Sequence, residues 1–284
     1  MAAGSVTAAR NSPLWRELGP EPASIVSRLA HDEAEIEAKD ERVRSAFLAA
    51  SAHLEGTSFK SLRASDLDTL IALYDAHFFS GWLGEMLGEG TPEPLEVRLS
   101  RRMTSVGGST RRRQHRVRRD GCTSHYHSYE IAVSSVLLFQ SFADVERPVV
   151  VSGVECSDRL AAMQRIVEHE LVHLLEFLVW GRSSCARPRF LTIAGNLFGH
   201  TAASHRLVTQ TERALVSHGV RVGDWVEFEG DGTRHAGFIR RITKRATVLV
   251  DDPDGTPYSD GHRYAKWFVP LPELRKLRRS RSRR

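Results

Sequence analysis

The residues best placed to do chemistry are His169, Glu170 and His173, in the run Glu168-His169-Glu170-Leu171-Val172-His173-Leu174-Leu175-Glu176. Positions i and i+4 of a helix lie one turn apart on one face, so the two imidazoles can present nitrogens to a single ion. Glu170 projects from the neighbouring edge, where a carboxylate can take the proton of a metal-bound water. Zn²⁺ suits such a set because it binds neutral imidazole at short distance and, with one position open, lowers the pKa of its water toward ~7. Two histidines on an apolar helix face can also be satisfied core residues, and with 13 His in 284 residues the pattern needs context. The context is an apolar run from near Leu160 to Trp180-Gly181. There Ile166, Val167, Leu171, Leu174, Leu175 and Leu178 recur at helical spacing, with no Pro or Gly between them. The spacing predicts a metal-binding helix.

The elements that must position this helix are read from the rest of the chain. A hydrophobic content of 41% and a charged content of 26% are those of an ordinary globule. No apolar run reaches the ~18–20 residues of a membrane span, and the start has no cationic segment leading into an apolar core. Cys122, Cys156 and Cys185 cannot all pair and show no C-x-x-C spacing, which suits a reducing compartment, so a cytoplasmic protein is expected. The net charge of +5 is concentrated: Arg275 to Arg284 holds seven Lys/Arg and no acid, and Arg111 to Arg119 forms a second basic cluster. Such blocks are commonly solvated and mobile, yet they also offer phosphate backbones a surface that releases counterions.

Residues 1–60 read as a loosely attached start, with Asn11-Ser12-Pro13 and Gly19-Pro20, followed by an accessory helix from Pro22 to about Leu54. Its apolar positions are sparse (Ile25, Leu29, Ile36), and Asp40 belongs to its charged face. Ser65-Asp66-Leu67-Asp68 opens a helix with a buried stripe at Leu67, Leu70, Ile71, Leu73 and Tyr74. Pro94 to Leu99 and Tyr129 to Val133 read as strands, Met103 to Thr110 as a glycine turn into a hairpin, and Ser134 to Phe139 as a helix or edge segment. His115, His125 and His127 fall in the basic, turn-rich part and are expected in solvent or near phosphate. An α+β core, a small mixed sheet beside the metal helix, is the expected fold class.

In order along the chain, Tyr74-Asp75-Ala76-His77-Phe78-Phe79, Ser100-Arg101-Arg102-Met103 with Gly107-Gly108, Tyr129-Glu130-Ile131-Ala132-Val133-Ser134 and His169-Glu170-Leu171-Val172-His173 resemble SprT-like (Spartan-type) zinc metalloproteases. The resemblance covers about Leu67 to Ala214. It implies a compact helix-plus-sheet protease core, bound Zn²⁺, and an action on proteins bound or crosslinked to DNA, as for several family members. The family usually carries a third ligating His in a His-Gly-x-x-aromatic pattern. Here Ser183-Ser184-Cys185-Ala186-Arg187-Pro188-Arg189-Phe190 keeps the aromatic but places Ala186 at the His position. Cys185, one residue earlier, is the first choice for third ligand, since thiolate binds Zn²⁺ at ~2.3 Å. His200 is the alternative, and His205 resembles a family His beyond the ligand set. Glu176 could serve as a fourth ligand or as an acceptor for a ligating imidazole; such a Glu more often pairs with a surface arginine, and it is left outside the metal set.

After Ala214 the pattern changes to period two. Val220 to Phe228, Ala236 to Ile242 and Ala246 to Val250 alternate, with turns at Gly230-Asp231-Gly232 and Asp252-Pro253-Asp254-Gly255. Val222-Gly223-Asp224 and Gly237 with Ile239 and Ile242 resemble a small Tudor- or KOW-type barrel. Such barrels bind nucleic acid or peptides, here through Lys244-Arg245 and the aromatics Tyr264, Trp267 and Phe268. The expected organisation is 1–60 accessory, 61–215 SprT-like domain, 216–274 barrel and 275–284 basic tail. The expected activity is that of a zinc endopeptidase with a protein substrate, no membrane partner and a nucleic-acid partner bound through Arg111–Arg119, the barrel and the tail. In a bacterium it would be nucleoid-associated. A non-catalytic nucleic-acid-binding protein with structural zinc is the alternative, and a metal-dependent hydrolase of another bond ranks last.

Overall fold

The computed structural model describes residues 11–88, 94–119, 122–143 and 145–277. In chain order the helices are α1 (Leu14–Glu17), α2 (Pro22–Arg28), α3 (Glu33–Ala50), α4 (Ala64–Phe78), α5 (Trp82–Gly88), α6 (Ser135–Gln140), α7 (Arg159–Trp180), α8 (Pro188–Phe198) and α9 (Gln210–His218). The strands are β1 (Leu95–Ser100), β2 (Gly108–Arg119), β3 (Cys122–Ser134), β4 (Val149–Val151), β5 (Val154–Cys156), β6 (His205–Arg206), β7 (Trp225–Gly230), β8 (Thr233–Ile242), β9 (Arg245–Pro257), β10 (Arg263–Pro270) and β11 (Arg275–Lys276). The mixture is α+β, with small sheets. No helix among the described residues is long and apolar enough to cross a membrane.

Two compact units divide the chain: residues 1–139 with 148–207, and residues 140–147 with 208–284. The first is built on α7. Asp158 caps its start by accepting from the Ala161 amide at 2.9 Å, and Gly181 ends it in the left-handed region (φ 68°), which a side chain would resist. Leu160, Ile166, Val167, Leu171, Leu174 and Leu175 are fully buried, as their spacing requires. Beside α7 lies a three-stranded sheet in the order β1-β3-β2. Leu95 to Ser100 pairs parallel with Tyr129 to Ser134, and Gly108 to Arg119 pairs antiparallel with Cys122 to Val133. The expected hairpin is thus a long ribbon, and Arg111 to Arg118 is strand rather than loop. A second small sheet sets β4 between β5 and β6.

The N-terminal segment departs from expectation. Leu14 and Trp15 are buried, and Trp15 donates from Nε1 to Glu85 Oε2 at 2.7 Å, so residues 11–18 are held rather than loose. Along α3 the fully buried residues are Val43 and Phe47, and Asp40 pairs with Arg165 of α7 instead of facing water. This helix is part of the first unit's packing. The remainder of the expected loose start, residues 1–10, lies outside the described residues.

The second unit is an antiparallel sheet in the order β10-β9-β8-β7-β11, with no β10–β11 pairing to close it among the described residues. Its core takes Val226 and Phe228 from alternate positions of β7, with Val248, Val269 and Ala214 of α9. Ile239 and Ile242 both point inward although three residues apart, because the β8–β9 register shifts between Ile239 and Arg241. The expected turn at Asp252 to Gly255 sits between Asp251 and Pro257, which pair with the consecutive residues Tyr264 and Arg263, so it loops out of a continuous β9–β10 ladder. Two expected boundaries move. Helix α9 belongs with this sheet because Ala214 is in its core. Residues 140–147 join it because Arg147 grips Glu212 through Nε and Nη2 at 2.5 and 2.9 Å, and Ser141 Oγ accepts from the Val208 amide at 2.9 Å. The basic tail also begins inside the sheet: Arg275 and Lys276 pair with Glu227 and Val226, and residues 278–284 lie outside the described residues.

Candidate metal centre

The first unit brings His169, His173 and Cys185 together, with one ligand atom from each within 4.8 Å of the others. Helix α7 supplies both imidazoles from one face, and the turn between α7 and α8 returns Cys185 to them. The rings of His169 and His173 stand 4.9 Å apart, and Phe190 of α8 packs against them at 4.7 and 4.5 Å. Burial drives both imidazoles toward the neutral form, His169 to about 2 and His173 to about 4, so each keeps a lone pair for a metal at neutral pH. Neighbouring His205, His173 and His200 depress His169 further, while Glu176 opposes the effect at His173.

The outer hydrogen bonds say which nitrogens are free. His173 Nδ1 lies 2.6 Å from Ser183 Oγ, whose own proton goes to Glu176 Oε2 at 2.6 Å. Ser183 must therefore accept from His173, which places the imidazole proton on Nδ1 and leaves Nε2 for the ion. Glu176 is fully buried and also accepts from Arg189 Nε at 2.6 Å and from the Ser184 amide at 3.2 Å. Its role is to orient, through Ser183. His169 Nδ1 faces Ser152 Oγ at 3.4 Å, again leaving Nε2.

Glu170 follows His169 and is buried beside it. Strand β2 shapes its surroundings: Thr110 Oγ1 lies 2.7 Å from Glu170 Oε2 and 3.0 Å from the Glu170 carbonyl oxygen. A Cβ on Gly108 would fall 2.5 Å from Glu170 Oε1, so only glycine fits where the strand passes the carboxylate. Burial pushes the Glu170 carboxyl up to about 8, opposed by the Thr110 hydrogen bond. At about 8 the carboxyl is mostly protonated at neutral pH, and a cation held by the neighbouring imidazoles would favour the ionised, proton-accepting form.

His169, Glu170, His173, Cys185, Gly108 and Thr110 line one open cavity of about 310 Å³, together with Val106, Gly107, Ala203 and His205. His205 stands with its ring 4.6 Å from that of His169, and Ser152 Oγ lies 3.4 Å from His205 Nε2. His200 goes elsewhere: its Nε2 meets Glu168 Oε2 at 2.8 Å, and both side chains are fully buried. Glu168 also binds Tyr74 Oη at 2.5 Å and Arg165 Nη1 at 2.9 Å. His200 therefore lies outside the triad.

Two neutral imidazoles and a thiol, with the outer nitrogen of His173 anchored, fit a borderline-soft divalent ion and not Mg²⁺ or Ca²⁺, which ask for oxygen ligands. Sequence reading missed Thr110, Ser152 and Ser183. Hydroxyl residues carry no spacing signal, and Thr110 is brought to Glu170 across 60 positions of chain. Comparison of the chain with protein-family models, curated proteins and solved structures returns no match.

Proposed function

We propose that the first unit is a zinc-dependent endopeptidase of the SprT-like type, acting on proteins held at nucleic acid. The observation that carries this reading is the buried Glu170 carboxylate beside a triad of two imidazoles and a thiol in one open cavity. Zn²⁺ would be held by His169 Nε2, His173 Nε2 and Cys185 Sγ, and when bound it would acidify a water and polarise a carbonyl. Glu170 then takes the water's proton and passes it to the leaving amine. Thr110 holds the carboxylate in place, Gly108 leaves it room, and Ser183 and Glu176 fix the His173 ring. Among the described residues strand β2 has a strand neighbour on one side only, so an extended substrate can pair along its other edge beside the site.

Nucleic-acid binding is supported by the β2–β3 ribbon, on which Arg111, Arg113, Arg116 and Arg118 are exposed. In the second unit Phe268 is 63% exposed next to basic Lys266 and Arg245, whereas Tyr264 is buried and Trp267 half-buried. A second reading, a nucleic-acid-binding protein with structural zinc, draws on His205, which as a fourth ligand would leave no position for water. One experiment separates the two. Glu170→Gln should keep stoichiometric zinc by elemental analysis while hydrolysis of an unfolded protein substrate, with and without single-stranded DNA, falls by about 10²–10⁴. Zinc retained in a wild type that hydrolyses nothing would favour the structural reading.

A further inference from the structure

The turn between α7 and α8 that delivers Cys185 also builds a second cavity, of about 390 Å³, lined by Arg182, Ser183, Ser184, Arg187, Pro188 and Arg189. Its charge is lopsided. Glu176, the carboxylate these groups share, is already occupied on both oxygens by Arg189, Ser183 and Ser184. Arg189 is fixed in place: its guanidinium lies 4.2 Å from the Trp180 ring and donates to the Arg182 carbonyl at 3.2 Å. Arg182 and Arg187 are exposed, and among the described residues neither guanidinium is paired with a carboxylate. Helix α8 starts here with no side chain capping its first turn, which adds positive potential to the same hollow.

We propose that this cavity is an anion subsite that takes a Glu or Asp side chain of the polypeptide substrate, one to three residues from the bond cleaved. The proposal rests on the peptidase reading above for the position of that bond. Arg182 and Arg187 lie three and two residues from Cys185, and three residues of chain span at most ~11 Å. An extended substrate advances ~3.3 Å per residue, so side chains near the scissile bond reach that distance. A guanidinium pair matches a carboxylate in shape and charge. The arginines of the β2–β3 ribbon, by contrast, are strung along a strand, as a phosphate backbone asks. Arg182 and Arg187 line a single hollow of about 390 Å³.

The test has two arms on the full chain. In the first, zinc-loaded wild type and the Arg182→Gln, Arg187→Gln double variant digest a mixed peptide library, and the cleavage products are sequenced by mass spectrometry. The expected result is enrichment of Glu and Asp at one position within three residues of the cleaved bond. A matched Glu/Gln peptide pair should differ about tenfold in kcat/KM, a preference lost in the double variant, while neutral peptides are cut at the wild-type rate. In the second arm, NMR follows isotope-labelled Glu170→Gln protein titrated with an alanine-rich peptide carrying four Glu, and with its Gln twin. Shifts at residues 182–189 with the Glu peptide alone support the subsite, even if the wild type hydrolyses nothing, in which case only the peptidase reading falls. Cleavage without acidic preference, or a preference that survives the double variant, overturns the proposal. So do shifts at 182–189 produced by oligothymidylate and not by the Glu peptide.

Discussion

Glu168 and His169 are consecutive residues of one helix, yet they enter two buried clusters of opposite character. Around Glu168 the charges close on themselves: Arg165, Tyr74 and His200 all bind its carboxylate, and Arg165 also holds Asp40. Burial alone would raise the Glu168 carboxyl, but Arg165 and His200 hold it below its ordinary range, whereas burial and the nearby Glu168 charge push Asp40 up to about 7. Around His169 no carboxylate sits on a ligand nitrogen, the histidines are neutral, and the donors converge on open space. The difference teaches which histidines of a chain are available to a metal. His200 is fully buried with an anion on Nε2 and no partner on Nδ1, and it lies outside the triad; His169 and His173 line the open cavity.

Four changes break or sharpen that contrast. Cys185→Ser removes a soft ligand from the open cluster and should lower zinc affinity by several orders of magnitude, read by competition with a chromogenic chelator, with little change in Tm of the metal-free protein. Glu168→Gln attacks the closed cluster and should do the reverse, lowering stability by about 3–5 kcal/mol in urea titrations while zinc stoichiometry stays at wild type. Loss of zinc in Glu168→Gln without loss of stability would mean that the two clusters are one. Ser183→Ala lies between these extremes: it releases the His173 ring without touching the ion, and zinc affinity should fall about 10–100-fold.

The smallest effect is one of pH. His173 and His205 titrate at about 4 in the folded chain against an ordinary 6.5, so between those values the unfolded chain binds more protons and acidification destabilises the fold. His169, lowered to about 2, acts in the same sense. Glu170, raised to about 8, and Asp40, raised to about 7, act oppositely as the pH falls through those values toward their ordinary carboxylate range. The metal-free protein should therefore lose about 1–2 kcal/mol net between pH 6.5 and 5. Thermal melts in chelator at the two pH values check it, and a rise in Tm on acidification would contradict the burial assigned to these histidines.

The helix α7 was legible because its apolar residues repeat without interruption, and the strands of the second unit because Val226 and Phe228 alternate cleanly. The packing of α3 was not. Its buried residues, Val43 and Phe47, are outnumbered by charges, and one of those charges, Asp40, is neutralised by an arginine 125 positions away. No local pattern announces such a pairing. Within the site the two histidines stand in the motif, and Cys185 follows by comparison with a family pattern. The choice between Cys185 and His200 needed the position of Glu168 in space, since any helix spacing allows either.

Residues 140–147 lie between two stretches of the first unit but pack with residues that come at least 60 positions later. The backbone therefore passes between units three times, and no single cut separates them. A chain ended at 207 would synthesise the whole of the first unit yet leave Gln140, Ser141 and Arg147 without the Val208 and Glu212 groups that bind them. On the ribosome the same order applies. Helix α7 and the candidate triad emerge before the partners of that inserted segment, so the segment must wait for the C-terminal third of the chain before it can settle.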